Sequence, residues 1–458
     1  MTEGWFAVAA AVMVVLSLAG AVVAVTADEA DEPVGWIPDV PDVDAFEAPT
    51  EPGVATVDGE TYDSVQAAVD AADPGDTIVL DGHFDERVVV ETADVRIVGV
   101  DGAESALIDG GGEETVLEIH AENVTVEGVW LRESGYERSS EDAGVLVNGA
   151  GATLSELRIT EITFGVWVDG VPDVTIEDST IAGREDVFPA VNRGNGIHLH
   201  AADDALVLNN AITTTRDGIY YAWSENVLAE GNVMWNMRYG VHYMNSNDNV
   251  LRNNVAFDND VGFALMVSVN LTIEGNIAVE NRGQSSHGIF VKDIDHSEIR
   301  DNVVVGNGNG FYVYNANGNV IADNLVLANE LGIRVAAGTS DELVVGNSFI
   351  DNDEAAFVDT RSQVAWNDTD RGNYWSDART VDLDGDGTSE IRYQPAGTVE
   401  RLVHENPQAA VFAESPAFDT VRLAESSFPV IVSPGAVDHH PLAEPNHDPR
   451  EYTDEHRN

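Results

Sequence analysis

The chain has 458 residues, with 81 acidic and 22 basic side chains, a formal net charge of −59 and no cysteine. The lack of cysteine excludes disulfide bonds and thiolate metal ligands, and the negative charge disfavours a nucleic-acid partner, because Lys and Arg bind the phosphate backbone. The carboxylates are spread along the whole chain. This is typical of proteins from high-salt environments, where about 1 M salt shortens the screening length to roughly 3 Å.

The N-terminal part predicts export. Residues 5–25 are uncharged and mostly apolar, which is long enough to span a bilayer. We expect residues 1–27 to be a signal peptide or a membrane anchor, with the two alternatives open, and the protein to act outside the cytoplasmic membrane. Residues 28–60 are acidic and contain several prolines, which predicts a linker.

A short amphipathic helix is expected at residues 64–72, before the turn Asp73-Pro74-Gly75. We expect it to cap the open end of a repeating β domain at residues 61–365, because an uncovered end would expose unpaired strands. Residues 366–445 lose the repeat and contain several prolines, which indicates a C-terminal cap. Residues 446–458 are polar, which predicts a disordered tail.

A regular spacing of glycines predicts the fold. The glycines recur every 22 residues, with one step of 26, and they are Gly196, Gly218, Gly240, Gly262, Gly288, Gly310 and Gly332. The first and third residues after each glycine are apolar or aromatic, an alternation typical of a strand with one buried face. Short strands separated by Asn, Gly and Asp, with such a period, predict a right-handed parallel β-helix of about 22 residues per coil.

Asparagines repeat with the same spacing, at positions 210, 232, 254, 276, 302 and 324, and at position 347 with one residue of delay. If they occupy equivalent turns, their side-chain amides can stack and bond from coil to coil. We therefore expect an amide ladder inside the β-helix.

The methionines suggest a copper site. Outside the first 27 residues, all four lie within one stretch, as Met234, Met237, Met244 and Met266. Alternation places His242 and Met244 on the outer surface of one strand and Met266 beside Met244 on the next coil, about 4.8 Å away. Thioether and imidazole ligands suit copper, particularly Cu(I). Met234 and Met237 lie on the same coil as Met244 and are further candidate ligands, although Met more often fills gaps in a core.

Two further groups are weaker metal candidates. His198 and His200 point to one side of a strand two coils from His242, as additional copper ligands or as ordinary surface residues. The segment at residues 382–390 has the alternating acids and the glycine of a calcium loop. Its candidate ligands are Asp382, Asp384, Asp386 and Glu390, but Tyr393 stands where a calcium loop has its twelfth-position glutamate.

The segment at residues 238–246, Arg-Tyr-Gly-Val-His-Tyr-Met-Asn-Ser, resembles the signature of the NosD family. Other matching segments are 217–221, 264–268, 281–286, 372–375, 382–387 and 426–430, so that the resemblance covers roughly residues 60–445. One departure is Asn245, where an aromatic residue is expected. The resemblance implies an exported, non-catalytic protein that helps to load copper into nitrous oxide reductase. It implies the ATPase and the permease of an ABC transporter as partners, and a copper-donor lipoprotein as a possible source. It gives no ligand list.

Three alternatives use the same residues differently. A metal-free scaffold would dock the reductase or the transporter through an apolar face formed by Trp223, Trp235, Tyr243, Met244, Met266 and Phe290. A polysaccharide lyase, hydrolase or epimerase would use Arg238, Tyr239, His242 and Tyr243, with Arg282 and Lys292 further along and Asp217 and Glu225 as candidate acids that have no obvious partner at glycosidase spacing. A purely structural solenoid would need neither the methionine cluster nor a transporter.

Overall fold

A computed structural model describes residues 38, 40–43, 47–360, 362–395, 397–413, 415–427 and 434–452. The expected signal peptide or anchor at residues 1–27 lies outside these residues, as does the first part of the expected linker. Among the helices in the described ranges, none is both long enough and apolar enough to cross a membrane.

The predicted fold is confirmed. The chain winds into a right-handed parallel β-helix of about 13 turns with about 22 residues per turn, and each regular turn adds one strand to each of three faces. The strand Thr77–Asp85 runs from face 1 to face 2. The other parallel strands of face 1 are Arg96–Gly99, Thr125–Glu127, Thr153–Ser155, Thr175–Glu177, Leu206–Leu208, Leu228–Glu230, Val250–Arg252, Thr272–Glu274, Glu298–Arg300, Val320–Ala322 and Leu343–Val345.

Faces 2 and 3 continue each turn. The strands of face 2 are Ala106–Asp109, Trp130–Arg132, Arg158–Ile162, Thr180–Gly183, Ala211–Thr213, Val233–Trp235, Val255–Phe257, Ile277–Val279, Val303–Val305, Leu325–Leu327, Ser348–Ile350 and Tyr374–Trp375. The strands of face 3 are Val88–Val90, Leu117–Ile119, Ala143–Val147, Phe164–Asp169, Ile197–His200, Asp217–Ala222, Tyr239–Met244, Val261–Val269, His287–Asp295, Asn309–Tyr314, Leu331–Val335 and Glu354–Val358.

The repeating glycines lie where face 3 begins, and successive turns approach closely there. A Cβ atom on Gly218 would lie 2.5 Å from the Gly240 carbonyl oxygen, and one on Gly240 would lie 2.6 Å from that of Gly262. A contact below 3.0 Å between a Cβ and a backbone oxygen forces the backbone to move. The spacing of glycines therefore follows from the close packing of turns at this corner.

The amide ladder predicted from the asparagines is confirmed. Within it, each Nδ2 donates to the Oδ1 of the next turn over 2.8–3.0 Å, through Asn210, Asn232, Asn254, Asn276, Asn302, Asn324, Asn347 and Asn373. A second ladder joins Asn281, Asn307, Asn329 and Asn352 at the next corner. Buried polar groups thereby find partners along the helix axis.

The three corners of the β-helix differ in length. From Thr125–Glu127 onward the corner from face 1 to face 2 has two residues in every turn, whereas the corner from face 2 to face 3 carries long segments at residues 133–142, 184–196 and 280–286. The first contains the 3-10 helix Arg138–Ser140 and the second contains Ala190–Asn192. The second and third long segments border the turns that hold the candidate copper ligands.

The N-terminal end is closed by strands Val54–Val57 and Glu60–Tyr62, which pair antiparallel, and by helix α1, Val65–Ala71. The strands begin within the segment assigned to a linker at residues 28–60. The α1 N-terminus is held by Glu86, whose carboxylate accepts from Val65 N at 2.6 Å. A carboxylate at this position satisfies free N–H groups and complements the helix dipole.

The C-terminal region contains helices α2, Thr398–Glu405, and α3, Pro416–Ser427, the 3-10 helices Pro407–Phe412 and Pro449–Tyr452, and the parallel strand pair Gln363–Ala365 and Gly435–Val437. Two boundaries differ from the expected ones. Tyr374–Trp375 still pairs with face 2 beyond residue 365, and Asn446, in the segment expected as a disordered tail, donates through its amide to Gly346 O at 2.7 Å.

Candidate functional site

Side chains on the outer surface of face 3 form columns along the β-helix axis. Two residues after the glycines, or at the equivalent position, the column reads Trp167, His198, Tyr220, His242, Ala264 and Phe290. Four residues after them, the pairing joins Asp169, His200, Ala222 and Met244 in one column and Met266 and Lys292 in the following turns. The turns that hold His242 and Met266 are therefore adjacent.

His242 is buried, and its two ring nitrogens differ. Nδ1 lies 3.0 Å from Asp217 Oδ2, whereas Nε2 is shielded from solvent and has no hydrogen-bond partner. Because an ionised carboxylate can only accept, the Asp217 contact requires the proton on Nδ1. The lone pair of Nε2 is then free, as in metal-binding histidines that a carboxylate orients.

Asp217 is fully buried, and Arg238 binds its carboxylate through two bonds, Nε to Oδ1 at 2.8 Å and Nη2 to Oδ2 at 2.5 Å. Burial raises the pKa of the Asp217 carboxyl, but the hydrogen bonds from His242 and Arg238 outweigh it and hold the pKa at about 2. Asp217 is therefore ionised at neutral pH, which suits an orienting group and excludes a general acid.

Met244 and Met266 are both partly exposed. Two residues beyond them the same register continues, since Ser246 N donates to Ser268 Oγ at 3.1 Å. The paired register of the two strands runs to His242 and Ala264, so Met244 and Met266 each follow two residues later on adjacent turns, which lie about 4.8 Å apart.

The other two methionines lie inside the β-helix. Met234 is completely buried against the core. Met237 is 5% exposed, and its Sδ accepts a hydrogen bond from Thr215 Oγ1 at 3.3 Å. Neither shares the outer surface with His242, so their positions favour the core role that the sequence left open.

The histidines of the earlier turns already have partners. The His198 ring stacks on Trp167, with centroids 3.8 Å apart, and its Nδ1 lies 3.2 Å from Asn195 Nδ2. Burial and the nearby charge of Arg216 lower the pKa of His198 to about 3, so it is neutral. His200 Nδ1 lies 2.6 Å from Asp169 Oδ1. Two turns separate this pair from His242, about 9.6 Å, which is beyond a shared coordination sphere.

The alternation pattern missed the part that Asp217 plays. Asp217 immediately precedes the repeating Gly218, and His242 is the second residue after the next repeating glycine, Gly240. Strict alternation does not place these two side chains next to each other. The strand bends at the glycine, because Asp217 pairs with Tyr239 and Ile219 pairs with Val241 but Gly218 pairs with no residue of that strand. The signal for this role in the sequence was an acidic residue directly before one of the repeating glycines.

The predicted apolar face needs correction at two residues. Tyr243 is fully buried and stacks on Tyr221, with ring centroids 4.2 Å apart. Trp235 lies on face 2, where it stacks on Phe257. The prediction that Tyr243 and Trp235 share a face with Met244 is wrong, because the third residue after a glycine points inward and Trp235 belongs to another strand.

The predicted calcium loop is exposed and is shaped by its own backbone. Oxygens of Asp382, Asp384 and Glu390 lie within 4.8 Å of one another. Asp386 instead accepts from Thr388 N and Oγ1 at 2.8 and 2.7 Å. These hydrogen bonds account for the shape of the loop without an ion, and calcium binding stays a prediction.

Comparison with known proteins adds a family. The family described as "Periplasmic copper-binding protein (NosD)" matches residues 177–380. The "Probable ABC transporter binding protein NosD" of Pseudomonas aeruginosa is 37% identical over 407 residues, which cover 85% of this chain and 92% of that protein. The protein of the same description from Stutzerimonas stutzeri is 39% identical over 357 residues, 74% of this chain and 80% of that protein.

Among solved structures, a PL6 alginate lyase in complex with a trisaccharide is similar with a TM-score of 0.49 and 16% sequence identity, over 68% of this chain and 79% of that chain. Similarity of this extent carries no information about activity.

Proposed function

The chain belongs to the NosD family, and on that premise we propose that it is an extracytoplasmic accessory protein that binds Cu(I) on face 3 for the assembly of the copper centres of nitrous oxide reductase. The family description supports the location and the metal. The two relatives are described as ABC transporter binding proteins, which supports an ABC transporter as a partner. The reductase as client and a lipoprotein as copper donor are parts of the proposal.

The observation that carries the proposal is the unpartnered Nε2 of His242. A buried nitrogen without a partner costs about 1–3 kcal/mol, and Asp217 fixes the ring with this nitrogen available. Met244 lies on the same strand, and Met266 lies on the next turn. One imidazole and two thioethers form a set that suits Cu(I).

This ligand set suits transfer of the ion. Thioethers bind without losing a proton, so that binding through the two methionines is not coupled to pH in the way that binding by thiolates is. Met244 and Met266 are partly exposed, so a client can reach the ion from the methionine side. The transporter's ATP cycle would then move the solenoid or open the client.

The test is anaerobic Cu(I) titration of the purified full chain in high salt against a competing chelator. We expect about one tightly bound ion per chain, with affinity lowered at least tenfold by Met244→Ala or by Met266→Ala. The matched control is Met234→Leu, which keeps the core volume and leaves the affinity unchanged. Unchanged affinity in a variant with both His242→Ala and Met244→Ala would disprove this site.

A second function, docking without a metal, is favoured by the apolar residues that border the methionines. Trp223, whose N–H donates to the Met244 carbonyl oxygen, is 61% exposed, and Val267, which follows Met266, is 38% exposed. Exposed aromatic side chains of this kind mark protein-binding surfaces. If the wild-type chain binds no Cu(I), this scaffold function replaces the copper site, and Trp223→Ala is expected to weaken binding to the transporter or the reductase.

A further inference from the structure

A separate group of metal-binding residue types lies at the N-terminal end of the β-helix. His83 and Asp85 are two residues apart on one strand, and Asp109 pairs with Asp85 on the next turn. One ligand atom of each lies within 4.8 Å of the others. His83 Nε2 is 3.1 Å from Asp85 Oδ1 and 3.9 Å from Asp109 Oδ2.

The contacts of His83 are unlike those of a hydrogen-bonded histidine. Its Nε2 is shielded from solvent and has no hydrogen-bond partner, although two carboxylates lie close. The oxygens therefore lie off the axis on which an N–H group would donate. A metal ion bound to Nε2 would lie on that axis, and the other ligand oxygens would then lie to the side of it. Tetrahedral coordination at about 2.1 Å separates ligand atoms by about 3.4 Å, and the two measured distances lie on either side of this value.

Asp109 is already oriented for such a role. It is 7% exposed, its Oδ1 accepts from Gly111 N at 2.9 Å, and its Oδ2 accepts from Arg132 Nε at 3.0 Å and from Arg132 Nη2. A carboxylate oxygen has two lone pairs, and both bonds from Arg132 end on Oδ2, so Oδ2 would release one of these bonds to reach an ion and keep the other. Ligating carboxylates are commonly held by hydrogen bonds of this kind.

The surrounding charge favours a cation. Burial, together with the negative charges of Asp109 and Glu161, raises the pKa of Glu133 beside the cluster. Arg132 supplies a positive charge, but its partners Asp109, Glu133 and Glu161 outnumber it. The local field therefore attracts a divalent ion.

We propose that His83, Asp85 and Asp109 bind one divalent transition-metal ion, with Zn²⁺ as the best match, and that this ion fastens the first turn of the β-helix to the second. One nitrogen and two carboxylate oxygens are ligands that Zn²⁺ accepts, with water in the fourth position. The two carboxylate oxygens are too hard for Cu(I), so this site is independent of the methionine site on face 3.

The test uses Zn²⁺ alone, added to the untagged full chain in about 1 M KCl, which screens weak binding by the acidic surface. Titration against a competing chelator is expected to show one site, and Zn²⁺ is expected to raise the melting temperature, because an ion that binds only the folded state stabilises it. His83→Ala and Asp85→Asn are both expected to weaken binding at least tenfold and to abolish the thermal shift.

Asp85→Asn keeps the test informative if His83→Ala unfolds the edge, because the Asp85 side chain is 88% exposed. The matched control is His120→Ala, which removes an exposed histidine whose Nε2 lies 3.0 Å from Glu118. Loss of Zn²⁺ binding in His120→Ala, wild-type affinity in His83→Ala, or no specific site in the wild-type chain would each overturn the proposal. Cu(I) affinity is expected to be unchanged in Asp85→Asn.

Discussion

At the scale of single residues, the candidate copper site depends on one aspartate. Asp217 contacts both Arg238 and His242, so it balances the charge of Arg238 and determines which ring nitrogen of His242 carries the proton. A neighbouring acid that fixes a metal-binding histidine usually affects affinity nearly as much as a ligand does. Asp217 is thus a positioning residue, and its effect can be separated from that of the ligands.

Asp217→Asn is expected to weaken Cu(I) binding roughly tenfold to a hundredfold, because the amide no longer imposes the proton on Nδ1 of His242. The variant also loses part of a buried ion pair and is expected to be less stable. Affinity is measured by chelator competition well below the melting temperature. An affinity equal to the wild type's would show that the carboxylate has no part in the site.

At the scale of strands and turns, the sequence predicts the fold well and the site only in part. Spacings of 22 residues define the turns, and alternation correctly places Met244 on the outer surface. Alternation fails at Gly218, which has no paired residue on the next strand, and it therefore does not predict that Asp217 contacts His242. It also fails to distinguish Met234 in the core from Met266 on the surface until each strand is assigned to its face.

The amide ladder gives a prediction at this scale. Asn276→Ala removes a buried amide, 0% exposed, whose Oδ1 accepts from Asn254 Nδ2 and whose Nδ2 donates to Asn302 Oδ1, each over 3.0 Å. We expect a loss of about 2–4 kcal/mol in the free energy of unfolding, measured in urea. The exposed Asn192→Ala is the control and is expected to change it by less than about 0.5 kcal/mol. A loss equal to the control's would mean that the ladder adds nothing to stability.

Asn276→Ala also serves as a destabilised comparison for Asp217→Asn, since its Cu(I) affinity is expected to be unchanged.

At the scale of the whole molecule, the charge of −59 makes stability depend on pH and salt. Two acids near the C-terminal end oppose folding in their charged forms. Burial raises the pKa of Glu342 to about 7, and burial and the charge of Glu400 raise that of Glu354 to about 7. A carboxyl whose pKa is raised in the folded state favours folding below its unfolded pKa, and this advantage is lost as pH rises toward the folded pKa.

The free energy of unfolding is therefore expected to fall between about pH 4.5 and pH 7 from these two groups, by about 1 kcal/mol each after allowance for their partial exposure. Glu342→Gln together with Glu354→Gln is expected to flatten this part of the profile and to stabilise the protein at pH 8. The measurement is urea unfolding at several pH values at constant high salt. If the variant and the wild type have parallel profiles, the two acids are not responsible.

The unequal corners have a consequence for how this molecule can be altered. The corner between face 2 and face 3 varies in length, whereas from Thr125–Glu127 onward two residues join face 1 to face 2 in every turn. A peptide or a dye attached in the segment at residues 184–196, where Phe188 is 86% exposed, would sit at the turn of His198, two turns from His242, without changing the pairing of any strand. A dye attached in this segment could therefore report the binding of a client in real time.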